Sequence, residues 1–393
     1  MEGIIPLSVP NFEGNESKYV NDALSQGWVS TGGAYITELE KKLAGYLHTG
    51  DVAACQSGTS AIHLALVEAG VKPGDMVIVP TLTFIAAVNP VKYQFADPVF
   101  IDCDASLCID PAKIELFCEK ECEMEEDRLI YKNGQRQVKA IVVVHVFGNM
   151  ADMEAIMEIA GKYNLKVIED ATEALGTCYE KGKYEGKYAG TIGDFGAYSF
   201  NGNKIITTGG GGAVTAGDTQ VVGHLRYLST QAKNDPHNYI HHEIGFNYRM
   251  TNLQAALGVA QMEELPDFVE RKNRNYKLYK ELFYGYGNAM VMPFRDGVFS
   301  NKWFYSLEIN RDMVGGTIQD VVAQLEERGV QTRPIWGLIH EQEPYKDDLA
   351  YMVEKAQYYS SCILNVPCST QITKEEIAYV AGQVKEVLDG LAE

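Results

Sequence analysis

Read for its apolar period alone, the chain changes rhythm near residue 50. Before that point Tyr19, Val20, Ala23 and Leu24 recur at helical spacing. Asn15 is a candidate cap and Gly27 a stop, and a second helix is expected from about Tyr35 to Leu47. After it, short apolar runs alternate with amphipathic ones: VAAC at 52–55, AIHLALVEAG, MVIVP at 76–80, FIAAVNPVKY and PVFIDCD at 98–104. Strand, helix, strand repetition predicts an α/β fold, a mostly parallel sheet covered by helices on both faces.

The middle of the chain continues the alternation with KAIVVVHVFG at 139–148, a helix through MEAIMEIAGKY and LKVIED at 165–170, so that these two strands flank one crossover. The segment from Cys118 to Gln137 is highly charged and carries the turn signal Asn133-Gly134; it is expected to be a solvated surface excursion. Beyond Leu253, the helical patterns AALGVAQMEEL and FVERKNRNYKLYKELF precede mixed short elements. A large domain over residues 1–259 and a smaller α+β domain over 260–393 are therefore expected.

Composition narrows the function classes. The 393 residues carry 34 Lys+Arg against 53 Asp+Glu, a formal net charge of −19. An acidic chain without a basic run repels both nucleic-acid backbones and anionic lipid surfaces, so an anionic ligand needs a local positive site. No apolar run is long enough to span a bilayer, and the start MEGIIPLSVPNFEG has neither a basic nor an apolar leader region, which points to a cytoplasmic protein. The eight cysteines read as reduced thiols. Cys103/Cys108 and Cys118/Cys122 lack knuckle spacing and paired histidines, so no metal is expected.

Three fragments carry candidate chemistry. In CQSGTSAIHLAL, Ser57, Gly58 and Thr59 lie between a strand and a helix, where unpaired backbone N–H groups favour an anion such as a phosphate; ordinary helix capping explains the same residues. In VIEDATEALG, Asp170 ends an apolar strand, the sheet edge at which such folds place ligands; a carboxylate there can bind a metal, a ribose or a protonated ring nitrogen. Glu169 and Glu173 flank it. In GAYSFNGNKIITTGGGGA, Lys204 lies between an aromatic strand and a β-branched run, which predicts a partly desolvated amine able to form a Schiff base. Neither common nucleotide-binding glycine motif is present. A phosphate cup, an acidic strand end and an enclosed lysine together meet the needs of pyridoxal phosphate.

At this point the sequence resembles the DegT/StrS-type nucleotide-sugar aminotransferases of the aspartate-aminotransferase fold (fold type I of the pyridoxal phosphate enzymes) over nearly its whole length. The blocks GWVSTGGAYITELE, SGTSAIHLAL, PTLTFIAAVNP, HVFGNMADM, VIEDATEALG, SFNGNKIITTGGGG and GFNYRMTNLQAALG stand in the family's order. The variant SFNGNKIITTGGGG, with TRPIWGLIHEQEPY, is most similar to the branch that makes 4-amino sugars of the bacillosamine and legionaminic acid type. Gly210 stands where many relatives carry Glu.

The resemblance implies that Lys204 bonds the cofactor's aldehyde and Asp170 pairs with its ring nitrogen. It implies that Phe84 stacks on the ring, that Ser57, Gly58, Thr59 and Ser199 hold the phosphate, and that Glu173 lies near the ring. Asn247 would reach the cofactor phosphate of a neighbouring subunit, which makes the enzyme a homodimer with shared sites. Trp28, Ser30, Thr31, His145, Arg333, Trp336 and His340 are candidate contacts to the substrate, and Arg333 offers a bidentate cation for a diphosphate. The implied activity is transfer of an amino group from L-glutamate to C4 of a UDP-linked 4-keto-6-deoxy sugar. The alternatives are a GDP- or dTDP-linked keto-sugar and a noncatalytic pyridoxal-binding regulator. A related sugar dehydratase is disfavoured, since that class has His where Lys204 stands.

Overall fold

The computed structural model describes residues 3–235 and 237–392. The large sheet runs in the order Ala53–Cys55, Gly212–Ala216, Phe195–Ser199, Lys166–Asp170, Arg136–Val144, Met76–Pro80, Asp97–Ile101 and Leu349–Tyr351. The first two junctions are antiparallel and the other five parallel. Alternation of side chains explains why helices cover both faces. Ile78, Ile141, Val143 and Val167 pack into one apolar layer, while Val77, Val79, Ala140, Val142 and Ile168 pack into the other.

Three sequence expectations need correction. The charged segment after Cys118 is not a loose excursion: Cys122–Glu125 and Arg128–Tyr131 form a hairpin that pairs with Arg136–Val144 and widens the sheet. The turn that joins the second of these strands to Arg136–Val144 uses Gly134 at φ +107°, a conformation that glycine adopts without strain. The two helical patterns after Leu253 are one helix, Asn252–Leu282, which runs through Pro266 and starts at a Thr251/Gln254 capping box. Asn15 stands at the cap position of helix Glu16–Ser25, yet its side chain donates to Glu263 Oε2 at 2.9 Å rather than capping.

The point between residues 259 and 260 falls inside that long helix. A second, antiparallel sheet follows, in the order Ala289–Val291, Tyr305–Ile309, Ile363–Val366 and Arg333–Pro334. Chain crossings tie the two sheets together. Ile5 bridges Val330 beside the small sheet, and Leu349–Tyr351 adds an edge strand to the large one. Among the described residues no helix is long and apolar enough to cross a membrane, and no cluster of metal-ligating side chains occurs.

Candidate active site

Parallel register brings the chemistry to one edge of the large sheet. Val144, Asp170 and Ala197 lie side by side toward the carboxyl ends of neighbouring strands, and Ser199, two residues after Ala197, ends its strand opposite Gly212. Ser57 caps the helix Gly58–Glu68 there, its Oγ accepting from Ser60 N at 3.1 Å. The first turn of that helix leaves the N–H groups of Gly58 and Thr59 without intrahelical carbonyls. A side chain at Gly58 would come within 2.8 Å of Thr172 and 2.9 Å of Ser199, so only glycine lets the backbone sit this close to the edge.

These residues line a cavity of about 380 Å³ together with Phe84, Asp170, Glu173, Ser199, Lys204, Gly210 and Trp336. Asp170 is almost fully buried, and its Oδ1 accepts from Thr172 N at 3.0 Å. Burial raises its pKa, with the positive charge of Lys204 opposing, so a protonated ring nitrogen beside it would offset the cost of keeping it ionised. Glu173 is buried too, and its carboxyl is pushed up to about 7, mainly by desolvation against the opposing pull of Lys204. Its Oε2 accepts from Phe147 N at 2.8 Å, and its Oε1 lies 3.4 Å from Lys204 Nζ. Phe84 is 53% exposed, a free aromatic face at the cavity wall.

Two of the expected substrate contacts are corrected. His145 is fully buried with both ring nitrogens engaged: Nδ1 accepts from Ala151 N at 3.2 Å, so the proton sits on Nε2 and is donated to Glu169 Oε2 at 2.8 Å. Glu169 in turn accepts from the backbone of Gly190, Ile192 and Gly193. This closed network supports the cavity floor and offers nothing to a substrate. His340 does not line the cavity either: its Nδ1 pairs with Thr81 Oγ1 at 2.6 Å, and Ile339 N donates to Thr81 O at 3.0 Å. The segment therefore buttresses the loop that carries Phe84.

The outer residues stay apart from the cavity of their own chain. Trp28, Ser30 and Thr31 are exposed, in a loop held by Asn252, whose Nδ2 donates to Trp28 O at 2.7 Å and whose N donates to Ser30 O at 2.6 Å. Asn247 Oδ1 accepts from Gln231 Nε2 at 2.9 Å. Arg333 is exposed, and its Nη1 donates to the neighbouring Thr332 O at 2.8 Å; among the described residues no carboxylate pairs with it. Sequence reasoning missed Thr83, Thr172, Asn203, Trp303 and Phe304 on the cavity wall. Thr172 lies inside an already noted block, whereas Trp303 lies just before the strand Tyr305–Ile309 of the second sheet and has no local signal.

The fold and this site define a pyridoxal phosphate-dependent aminotransferase of the α/β, fold-type I architecture. The chain belongs to the DegT/DnrJ/EryC1/StrS aminotransferase family, whose model matches residues 10–385. It is 35% identical to a GDP-perosamine synthase of Caulobacter vibrioides over 98% of both chains. It is 34% identical to one of Escherichia coli O157:H7, over 97% of this chain and 98% of the relative. A crystal structure of a DegT/DnrJ/EryC1/StrS aminotransferase from Brucella abortus superposes with a TM-score of 0.86 at 26% identity, covering 95% of each chain. The protein is thus a sugar aminotransferase.

Proposed function

We propose that the enzyme transfers the amino group of L-glutamate to C4 of a GDP-linked 4-keto-6-deoxy hexose. The observation that carries the reaction is the convergence of a buried carboxylate, an amine and an open helix end in one cavity. The nucleotide rests on likeness: the relatives cited above are GDP-perosamine synthases. A UDP-linked 2-acetamido sugar is the second reading, supported by the motif SFNGNKIITTGGGG.

When bound, pyridoxal phosphate supplies an electron sink for the carbanion formed at the reacting carbon. Gly58 and Thr59 N–H, with the hydroxyls of Ser57 and Ser199, fit the phosphate, and Phe84 offers a face for the ring. Asp170 would hold a proton on the ring nitrogen. Lys204 Nζ, once free, takes a proton from the donor carbon and later delivers one to sugar C4. Glu173 Oε1 gives that amine a neighbour that exchanges a proton near neutrality. Arg333 binds the diphosphate, and Asn247 serves the site of a second copy in a homodimer.

A panel of GDP-, UDP- and dTDP-linked 4-keto-6-deoxy sugars, incubated with glutamate and analysed by mass spectrometry, tests this reading. The highest kcat/KM is expected for the GDP sugar. A UDP sugar turned over faster would move the assignment to the second reading, and no amino sugar from any member would overturn both.

A further inference from the structure

Lys204 sits in a turn, its backbone N donating to Asn201 O at 3.0 Å, but that bond leaves its four-carbon stem free to rotate. Two distant groups restrict its tip. Glu173 Oε1 lies 3.4 Å from Nζ, and the ring of Trp303 faces the same nitrogen with its centroid 4.1 Å away. Trp303 is 3% exposed and is fixed on every side. Its indole Nε1 donates to Asn203 O at 2.7 Å, and its backbone N donates to Asn301 Oδ1 at 3.0 Å. Its carbonyl accepts from the buried Lys272 Nζ at 2.7 Å, and its ring stacks on Phe304 at 4.0 Å.

The same Asn301 donates through Nδ2 to Glu173 O at 3.0 Å, so one buried amide anchors both walls that flank the lysine tip. A ring held this firmly cannot turn away from the amine. An aromatic face also attracts an ammonium more strongly where water is excluded.

We infer that Trp303 is a positioning residue: its indole face is the berth of Lys204 Nζ when that nitrogen is protonated and not bonded to the cofactor, keeping it beside Glu173 and over the cavity. This deepens the reading of Lys204 as the reacting amine and rests on it. It also gives the antiparallel unit a task in the reaction, since the bond from Trp303 to Asn203 spans 100 residues of sequence.

The test follows labelling of Lys204 by trinitrobenzenesulfonate in cofactor-free protein, read by peptide mass, beside kcat and KM of the loaded enzyme. Replacing Trp303 site-specifically with mono-, di- and trifluorotryptophan drains the ring face stepwise while keeping its shape and its N–H. Labelling is expected to rise with each fluorine, by about tenfold across the series, with kcat falling and KM for the keto-sugar little changed. Trp303→Phe, which keeps a face, is expected within about threefold of wild type. A flat fluorine series overturns the inference, whatever Trp303→Phe does to folding. Borohydride reduction of wild-type holoenzyme separates the two layers. With no vitamin B6 adduct on Lys204, the reading of that lysine fails; with an adduct and a flat series, only the role of Trp303 fails.

Discussion

The floor of the cavity and its outer rim are built on different terms. On the floor, Asp170 is buried and Ser57, Ser199 and Lys204 are partly buried; strand register places Asp170 and Ser199, a helix cap places Ser57 and a turn places Lys204. On the rim, Trp28, Ser30, Thr31, Asn247 and Arg333 are held by backbone and amide bonds, yet none of them lines the cavity of its own chain. The floor is assembled from elements of one chain, whereas the exposed rim loops stand clear of that cavity and, in the homodimer proposed above, would serve the site of a second copy or the bound substrate. Chemistry should therefore be hard to alter without abolishing it, while recognition should be adjustable from outside.

The largest effect expected is on the floor. Lys204→Ala should fold as the wild type does, with an unchanged far-ultraviolet circular dichroism spectrum. It should lose amino transfer by at least about 10³-fold in kcat, since among the described residues no other lysine lines the cavity. Near-normal turnover would remove the distinction between floor and rim.

The rim is sharpened by complementation. In the proposed homodimer, Asn247→Asp would set a carboxylate against the neighbour's cofactor phosphate and should cost about 10²-fold in turnover. Mixed in equal amounts with Lys204→Ala under subunit exchange, it should regain up to about a quarter of wild-type activity, because only hybrid dimers hold one intact site. No recovery would mean that each chain completes its own site.

Arg333→Ala should be milder, raising KM for the nucleotide sugar so that kcat/KM falls by about tenfold, with kcat for glutamate unchanged. An unchanged KM would return Arg333 to the surface.

The smallest effect is on stability. The Glu173 carboxyl is pushed up to about 7 from its ordinary 4.5, mainly by burial, so between those values the folded chain holds a proton there that the unfolded chain gives up. That contribution is fully present at low pH and is lost as the pH rises from near 4.5 through 7. Glu173→Gln cannot ionise and can still accept from Phe147 N. Thermal melts of the cofactor-free proteins should therefore favour the variant at pH 8 and not at pH 5.

What was legible in the sequence divides along the same line. Strand ends such as Asp170 and turns such as Ser57–Thr59 announce themselves through local apolar period and capping chemistry, and the parallel sheet follows from their repetition. Long-range placement does not announce itself. The family resemblance alone offers His145 as a substrate contact, yet its ring turns inward to Glu169. The Cys118–Gln137 segment reads as solvated because it is highly charged, while Leu129 and its cross-strand partner Val138 face the core and seat a hairpin. Trp303 could not be found at all, since its partners Asn203 and Lys272 are set by packing between distant elements.

The account depends most on which nitrogen meets the cofactor. Holoenzyme reduced with borohydride and digested should give a single peptide carrying the vitamin B6 mass increment, with the modified residue at Lys204, and glutamate added beforehand should abolish the adduct. An increment on any other lysine, or a yellow colour that glutamate does not bleach, would contradict it.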